Sequence, residues 1–512
     1  MKKCLSCLLS ALFLFGAFLL LPAFAEASGT DYYVSTLGND GNPGTQEAPW
    51  RSLAKISETT FGAGDAIHLK RGEVFEGTVT LHGDGSNGSI TLTAYGNGER
   101  PYIKGPRDNA SSCVTLAPDA QGWKLSGLEI GSSFNGINLQ IGGAAGNDGY
   151  FIEDCYIHDC NNAPSTLPFG HGIILKGVNA GKNEASNITV KNCIFKGNDR
   201  EFFPDNLTNG IFLTNVLIDG CTITGSGYNS VYHTCATNFD IINSLWLDNG
   251  GGSIPVGNTC IISGELTGGK DCNMVSGNEF GFMKDPGGAD GSAYDFEIDT
   301  DGISFVNNFV HNCYGQAVMI MPNAVCKDIR IEDNIFSKNL TETTRHKGEL
   351  ALYGGGTGTV ANNVFQLRFT NLFRLPKMID GDAKGLEIRG NCCKQTQRMT
   401  ETPKCTFDET ANTATLSGAK DAALYYTTDG SVPTKESKLY AGETIPVTQT
   451  TVLNCKAFAD GELPSISCSK LLTPGSAATD ITPQRDTIFG TNYLSSFINW
   501  LLYIVCFGWI WM

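Results

Sequence analysis

A short motif recurs along the middle of the chain and constrains the fold more than any other feature. Each copy has a run of alternating apolar and polar residues, a polar pair, one small residue, most often Cys or Asn, and a second short apolar run. Examples are "YFIEDCYIHDC" at 150–160, "ITVKNCIFKGN" at 188–198 and "IRIEDNIFSKN" at 329–339. The equivalent residues, spaced by about 29 positions on average, are Leu128, Cys155, Cys193, Cys221, Ser244, Asn278, Asn308, Asn334, Asn363 and Asn391.

A repeat of this length predicts an all-β solenoid. Alternation is typical of strands with one buried face, and a period of roughly 20–50 residues indicates stacked units. In a parallel β-helix each coil pairs with the next, so that equivalent residues form an internal ladder. Asn can hydrogen-bond along such a ladder, and Cys packs there as a small apolar residue. We expect Cys155, Cys193 and Cys221 to be stacked thiols. Disulfides are the alternative, because adjacent coils are close enough.

The N-terminal part of the chain resembles the opening of secreted bacterial proteins with a right-handed parallel β-helix. The resemblance is carried by "DYYVSTLGNDGNPGTQEAPWRSLAKI" at 31–56, "GDAIHLKRGEVFEGTVTL" at 64–81 and "GSITLTAYGNGERPYIKG" at 88–105. These proteins form the pectate lyase-like superfamily, and the likeness extends over roughly residues 31–400. It implies a right-handed parallel β-helix and a carbohydrate-active lyase or hydrolase, although the superfamily also contains non-catalytic surface proteins.

The chain changes character after residue 400. "ALYYTTDGSVPTKESKLY" at 423–440 and "KAFADG" at 456–461 resemble the chitobiase C-terminal type domain, a small immunoglobulin-like β-sandwich. That resemblance implies an accessory module without catalysis of its own. The predicted organisation is a signal peptide at 1–25, a parallel β-helix at 26–400, a β-sandwich at 403–473, a linker at 474–490 and a hydrophobic C-terminal tail at 491–512.

The ends of the chain predict export to the medium or the bacterial cell surface. Lys2, Lys3, an apolar run and "AFA" at 23–25 follow the pattern of a secretory signal. Its removal changes the formal net charge from −16 to −18. An acidic surface repels nucleic acid, so we expect no nucleic-acid partner. The apolar tail predicts association with a membrane or the cell envelope. Docking of the tail on the body, or its trimming, is the alternative.

The stretch "AYDFEIDTD" at 293–301 is the strongest candidate for chemistry. Its carboxylates occupy alternate positions, namely Asp295, Glu297, Asp299 and Asp301. In a strand such residues share one face, with Phe296 and Ile298 pointing into the core. Like charges side by side destabilise a sheet, so the row indicates either a functional site or a solvated acidic turn.

An alignment of the second strand of each coil on Phe296 and Ile298 predicts a long exposed strip with aromatic rings beside the carboxylates. A slip of one residue would exchange the two faces. Sugars stack on flat rings and hydrogen-bond to carboxylates, so the strip suits an extended polysaccharide. Rings covered by loops are the alternative. The predicted substrate-binding residues are Phe212, Tyr232, Tyr353, Lys176 and Arg374.

Paired carboxylates favour glycoside hydrolysis. Alternate residues of a strand are about 6.5–7 Å apart, within the range of the two carboxyl groups of inverting glycosidases. Crowding raises the pKa of one group and leaves its neighbour ionised. In this interpretation Glu297 is the general acid and Asp295 or Asp299 is the base, with no cofactor required.

A calcium-dependent lyase is the second interpretation of the same residues. The hard oxygen ligands would be Asp295, Asp299 and Asp301. The superfamily resemblance implies that Ca²⁺ neutralises a uronate carboxylate while a Lys or Arg removes the neighbouring proton. The candidate bases are Lys176, Arg345, Lys347 and Arg374.

The sequence thus predicts a polysaccharide-cleaving protein, with hydrolysis placed ahead of elimination. A non-catalytic glycan-binding or adhesive surface protein is the alternative from another class. Chemistry requires the carboxylates to face an open groove, whereas adhesion requires only exposed rings. Four histidines are expected to be structural: His158, His171, His233 and His311.

Overall fold

The computed structural model describes residues 29–142, 146–161, 169–180, 183–205, 209–252, 259–285, 290–341, 347–368 and 377–483. The predicted signal peptide and hydrophobic tail lie outside these ranges. Within them, no helix has the length and apolar character needed to cross a membrane.

Nearly all regular structure is β. One short helix, α1, spans Leu53–Ser57, and the Oγ of Ser52 caps it by accepting a hydrogen bond from Lys55 N at 3.2 Å.

The first coils contain β1 (Asp31–Val34), β2 (Thr60–Phe61), β3 (Ala66–Lys70), β4 (Val74–Glu76), β5 (Val79–Gly83), β6 (Ile90–Tyr95), β7 (Tyr102–Lys104), β8 (Ser112–Leu116), β9 (Trp123–Ser126), β10 (Glu129–Gly131), β11 (Asn135–Ile141), β12 (Asn147–Glu153) and β13 (Tyr156–His158). The middle coils contain β14 (His171–Gly177), β15 (Asn183–Lys191), β16 (Ile194–Lys196), β17 (Arg200–Asp205), β18 (Ile211–Asp219), β19 (Thr222–Thr224), β20 (Val231–Ile242), β21 (Leu245–Leu247), β22 (Ile261–Thr267), β23 (Asn273–Ser276) and β24 (Glu279–Gly281).

The last coils contain β25 (Tyr294–Phe296), β26 (Thr300–Asp301), β27 (Ile303–Val306), β28 (Phe309–His311), β29 (Val318–Ile320), β30 (Val325–Glu332), β31 (Ile335–Ser337), β32 (Gly348–Leu352), β33 (Gly355–Ala361), β34 (Val364–Gln366), β35 (Lys377–Asp380), β36 (Leu386–Arg389) and β37 (Cys392–Cys393). The C-terminal part contains β38 (Lys404–Asp408), β39 (Thr413–Ser417), β40 (Ala423–Thr427), β41 (Lys438–Leu439), β42 (Ile445–Pro446), β43 (Thr451–Phe458), β44 (Cys468–Leu472) and β45 (Thr479–Asp480).

Strands β1–β37 pair in parallel with their equivalents one coil away and form three faces. Face A includes β12, β15, β18, the second half of β20, β23, β27, β30 and β33. Face B includes β13, β16, β19, β21, β24, β28, β31 and β34. Face C includes β11, β14, β17, the first half of β20, β22, β25, β29 and β32. The prediction of a parallel β-helix is confirmed.

An asparagine ladder runs through the C-terminal half of the solenoid. The side-chain amide nitrogen of each ladder Asn donates to the Oδ1 of the next, from Asn278 to Asn308 (3.1 Å), Asn334 (3.2 Å), Asn363 (3.0 Å) and Asn391 (2.9 Å). Each Oδ1 also accepts from the backbone N of the preceding member, at 2.8–3.0 Å. The ladder therefore satisfies buried backbone groups at a turn of every coil.

Thiols take the place of the amides toward the N-terminus. Cys155, Cys193 and Cys221 are buried and free. Their Sγ atoms lie 3.5–3.8 Å from backbone carbonyl oxygens of the coil before. The prediction of stacked thiols rather than disulfides is confirmed.

The polar residue before each ladder position has a structural cause. At all ten positions the preceding residue is in the left-handed region, with φ between 52° and 68°. Gly, Asn and Asp tolerate this conformation best. They are the types found there: Gly127, Asp154, Asn192, Gly220, Asn243, Gly277, Asn307, Asp333, Asn362 and Gly390.

Replacing one ladder residue tests how far the stack depends on it. In an Asn334→Ala variant, Phe305 O loses its donor and Asn308 N loses its acceptor. We expect the free energy of unfolding, measured by chemical denaturation, to fall by about 3 kcal/mol. Asn109→Ala, at an exposed position, is the control and should change it by less than about 0.5 kcal/mol. Equal effects of the two substitutions would contradict a stabilising ladder.

The C-terminal part is a β-sandwich of antiparallel strands. Its sheets have the orders β38-β39-β42 and β41-β40-β43-β44-β45, and their inner residues form a separate apolar core. The prediction of a small β-sandwich after the solenoid is confirmed.

The sandwich packs directly on face B. An apolar cluster contains Tyr156, Ile194, Leu245, Leu247 and Phe282 of the solenoid together with Val432, Val452, Leu471 and Ile481 of the sandwich. The module is therefore packed against the solenoid through an apolar interface.

A charged pair lies buried in this interface. The Glu279 carboxylate on β24 accepts hydrogen bonds from Lys456 Nζ (2.6 Å) and from Ser467 N and Oγ (both 2.7 Å), and it lies 3.2 Å from His311 Nε2. Burial by itself would raise the pKa of Glu279, but the Lys456 charge and the His311 hydrogen bond lower it to about 2. The pair joins the two domains only while Glu279 is ionised.

Removing the cation should destabilise the interface. Lys456→Met leaves a buried carboxylate unpaired, and we expect the free energy of unfolding at pH 7 to fall by about 3–5 kcal/mol. Because the folded pKa of Glu279 lies below its ordinary value of 4.5, the wild type should lose this stabilisation as pH falls from 4.5 toward 2. Glu279→Gln should remove that acid-sensitive part of the stability curve.

Lys420→Met, at an exposed position of the sandwich, is the matched control and should be neutral. A double Glu279→Gln, Lys456→Met variant should recover part of the lost stability, because no charge is then buried. If Lys456→Met behaves like Lys420→Met, the ion pair does not hold the domains together.

Candidate functional site

The acidic stretch 293–301 is a strand only in its first part. After β25 the backbone leaves the sheet, because Ser263 O accepts from the backbone N of both Glu297 (3.1 Å) and Ile298 (3.4 Å). Ile298 is 53% exposed. The prediction that Ile298 points inward is therefore wrong, and the four carboxylates do not share one face.

Each carboxylate has its own environment. Asp295 lies between Ile262 and Met319 in the pairing of face C and is fully buried, instead of facing an open groove. Glu297 is exposed. Asp299 is also exposed, and its Oδ1 accepts from Val325 N at 2.7 Å, so it serves a turn rather than pairing with Glu297.

Asp295 is a buried carboxyl group. Among the described residues, neither of its oxygens has a hydrogen-bond partner. Burial raises the pKa of Asp295 well above its ordinary value, and the charges of Glu297 and Asp290 add to the shift. A hydrogen bond to Glu297 that only the protonated form of Asp295 can donate adds to the rise in this pKa.

The outward column through Asp295 differs from the predicted one. Residues paired in register along face C are Asn138, Ile174, Phe203, Tyr232, Ile262, Asp295, Met319, Ala351 and Asp380. The position of Tyr232 is as predicted. The alignment of the second strands assigned Phe212, Glu297 and Arg374 to this column. It did not include β17, and it placed the acidic stretch two residues away from its observed register.

Phe212 lies on another surface. It pairs with Glu184 between β15 and β18 on face A. Together with Asp148, Ser186 and Thr214 it lines a groove of about 600 Å³. Phe212 is therefore not part of the surface around Asp295.

The other predicted binding residues are dispersed. Tyr353 follows β32, and its hydroxyl donates to Asp380 Oδ2 at 3.1 Å. Lys176 is half-buried on β14, in register with Gln140 and Asp205. Arg374 and Arg345 lie outside the described residues. Lys347 precedes β32, and its backbone oxygen accepts from Lys377 N at 2.9 Å.

An arginine that sequence reasoning missed stands near the centre of face C. The guanidinium carbon of Arg200 lies 4.2 Å from the ring centroid of Phe169, 4.9 Å from that of Phe203 and 4.8 Å from that of Tyr232. Its Nη2 donates to the Tyr232 hydroxyl at 3.3 Å. The segment "REFFPD" at 200–205 contains two adjacent aromatic residues, which are typical of a short strand. Its proline and its acidic residues are unusual in a strand, so the sequence analysis did not recognise this coil.

One histidine lies beside this arginine, and three serve the framework. His171 pairs in register with Arg200 and stacks on Phe203 at 4.9 Å. His233 is buried between Tyr294 and Phe239. Two others lie on face B against glutamates: His158 at Glu129 and His311 at Glu279.

Several buried polar atoms without partners lie on face C. Within the described ranges they are Asn138 Oδ1, His171 Nε2, Arg200 Nε and both carboxyl oxygens of Asp295. Such atoms are rare in folded proteins. Face C therefore carries unused hydrogen-bonding capacity over several consecutive coils.

The predicted calcium ligands do not come together. No group of three or more His, Cys, Asp or Glu side chains among the described residues is arranged to hold a metal ion. Asp295, Asp299 and Asp301 therefore do not form the expected site, and calcium dependence of the protein stays a prediction.

One segment of the chain matches a protein family. Residues 403–468 match the model of the chitobiase/beta-hexosaminidase C-terminal domain, which confirms the resemblance of the sandwich. No curated protein matches the chain.

Several solved structures are similar to this chain. A GH136 lacto-N-biosidase from Eubacterium ramulus has 20% identity and a TM-score of 0.49, covering 70% of this chain and 68% of that one. An alginate lyase from Paenibacillus sp. str. FPU-7 has 13% identity and a TM-score of 0.38, covering 66% and 96%. A rhamnogalacturonan lyase has 16% identity and a TM-score of 0.35, covering 71% and 87%. Similarity this low does not extend to activity.

The raised pKa of Asp295 can be tested by measuring the free energy of unfolding as a function of pH. Its folded pKa lies above the ordinary 3.8, so the protein should lose stability as pH rises above that value, by about 1.4 kcal/mol per unit up to the folded pKa. An Asp295→Asn variant should be more stable than the wild type at pH 7 and equal to it near pH 3, in chemical denaturation. Asp460→Asn, at an exposed position, is the control. A destabilised Asp295→Asn protein at pH 7 would contradict the raised pKa of Asp295.

Proposed function

We propose that this protein is an exported carbohydrate-active enzyme that cleaves a polysaccharide, and that it acts as a glycoside hydrolase. The single observation that supports this most is the carboxyl pair on face C. One member, Asp295, is buried with its pKa raised well above the ordinary value, and the other, Glu297, is exposed. A carboxyl group with a raised pKa suits general acid catalysis.

The pair acts as one acid–base unit in this proposal. Glu297 is the group that touches the glycan, and Asp295 is a positioning residue that supplies it with a proton. The proton passes through Glu297 to the glycosidic oxygen as the bond between that oxygen and the anomeric carbon breaks. Water then adds to the anomeric carbon and returns its proton to the pair. The products are two sugar chains with a new hydroxyl on each side of the cleaved bond.

The surroundings of the pair supply the binding surface. Tyr232, half-buried two coils away in the same column, offers a ring edge and a hydroxyl. Arg200 lies beside it. A sugar chain lying along the coil axis could contact both while one linkage rests on Glu297. The sandwich itself packs on face B and not on this side.

Substitution of the pair tests the proposal on a broad panel of glycans. Glu297→Gln should lower kcat by about 10²–10⁴-fold, because the proton donor is lost. Asp295→Asn should retain part of the activity, and its pH–rate profile should lose the dependence that the raised pKa of Asp295 produces. Asp328→Asn, an exposed carboxylate on face A, is the matched control and should leave kcat unchanged.

The products distinguish the reaction classes. New reducing ends without ultraviolet-absorbing unsaturated sugars support hydrolysis, and unsaturated products indicate a lyase and refute the hydrolase assignment. Binding without any cleavage across the panel favours the alternative of a non-catalytic glycan-binding surface protein. Full activity of Glu297→Gln would remove this site from consideration.

A further inference from the structure

Two cysteines of the sandwich face each other across neighbouring strands. Cys455 on β43 and Cys468 on β44 are partners in the antiparallel register, and both are free thiols in the apolar core of the sandwich. Directly opposed Cα atoms in such a pair are about 4.5 or 5.5 Å apart. Both distances fall inside the range of about 4.4–6.8 Å that a disulfide bridges. The backbone therefore already has the separation that a bond between the two sulfur atoms needs.

The two side chains are also in contact. A hydrogen bond between the thiols, together with burial, raises the pKa of Cys455 well above its ordinary value. The same hydrogen bond lowers the pKa of Cys468. Cys468 is therefore the first of the two to become a thiolate, which is the form that attacks a disulfide.

A third cysteine lies in the same core. Cys405 on β38 belongs to the other sheet of the sandwich, where it pairs in register with Leu416. Its backbone N donates to the Cys468 sulfur. The strand register thus gives Cys468 one cysteine directly opposite, Cys455, and places Cys405 outside this pair.

The pair lies directly behind the contact that holds the two domains together. The residues next to the cysteines in sequence, Lys456 and Ser467, both donate to the Glu279 carboxylate of the solenoid. Side chains alternate along a strand, so the cysteines point into the sandwich core while Lys456 points toward the solenoid. A bond between the two sulfur atoms therefore restricts the relative movement of the two donors to Glu279.

We propose that Cys455 and Cys468 form a cross-strand disulfide in the exported protein, and that this bond holds Lys456 and Ser467 in place for Glu279. The inference goes beyond the proposed function and takes only export from it, since export brings a chain into contact with disulfide-bearing oxidants.

The bond forms by exchange with an external disulfide. The Cys468 thiolate attacks one sulfur of that disulfide and displaces the other as a thiolate. Cys455 then gives up its proton to water, attacks the Cys468 sulfur and displaces the second thiolate. The two protein thiols lose two electrons, and the external disulfide is reduced to two thiols. Because Cys455 is fully buried in the folded protein, the exchange takes place before the core closes or when it opens transiently.

Mapping of disulfides in the full chain tests the proposal. The protein is purified with reductant and incubated with oxidised glutathione in urea just below the unfolding midpoint, so that buried thiols become accessible, and the remaining thiols are then alkylated. Mass spectrometry of the digest should show a cross-linked peptide that joins Cys455 and Cys468, and the stacked thiols of the solenoid should be alkylated. Alkylation of Cys455 and Cys468, or a bond from either of them to Cys405, overturns the proposal.

Thermal unfolding tests the role of the bond in holding the domains together. Reductant should lower the unfolding temperature of the oxidised wild type by about 5 °C or more. The loss should be smaller by about half in Glu279→Gln, because the two donors then have no charge to hold. An equal loss in the two proteins overturns this role of the bond.

A double Cys455→Ala, Cys468→Ala variant should show no loss on reduction. The matched control is Cys392→Ala with Cys393→Ala, which removes a half-buried and an exposed cysteine of the last coil and should keep the full loss. A full loss in the first variant shows that another bond is responsible and refutes the proposal. The mapping uses the wild type, so it decides the question even where a variant fails to fold, and neither measurement depends on whether a glycan is cleaved.

Discussion

The hydrogen bonds that join each coil to the next are the constraint on which the rest of the structure depends. A parallel stack must satisfy its backbone groups at every turn, where the chain leaves one face for another. The side chains of the asparagine ladder do this in the C-terminal half, with each Oδ1 accepting from both backbone and side chain of its neighbour. The left-handed residue before each position aims the ladder residue inward. The left-handed turn residue and the ladder residue after it therefore act together, and this combination repeats from coil to coil.

This stacking decides which distant residues become neighbours. Tyr232 and Asp295 are more than sixty positions apart in sequence and stand two coils apart in one outward column. The same register holds Asp295 between two apolar residues, where no hydrogen bond from the described residues would stabilise a negative charge. A framework that fixes side chains this firmly can hold an unfavourable carboxyl group in place, as proteins do at functional sites.

The sandwich shows how a resemblance can identify a module without showing its use. Its fold follows from strand pattern and turn residues, and the match over 403–468 agrees. Its buried pair with the solenoid, Glu279 and Lys456, joins segments that the sequence separates by 177 residues. The sandwich packs on face B, whereas the carboxyl pair and Arg200 lie on the side of face C.

The sequence alone determined the solenoid and its ladder residues, because they depend on a local pattern that repeats with the coil. It also indicated the sandwich through its strand and turn pattern, and it left stacked thiols and disulfides as alternatives that the structure decided. It also pointed to Asp295, Glu297 and Tyr232. Tertiary structure decided the rest. The strand ends after Phe296, where Ser263 O accepts from the backbone N of both Glu297 and Ile298. The alternation of side chains therefore fails at this point, and Ile298 is exposed. Arg200 and His171 meet only because β14 and β17 pair in register, and no local pattern encodes which strands of successive coils will lie side by side.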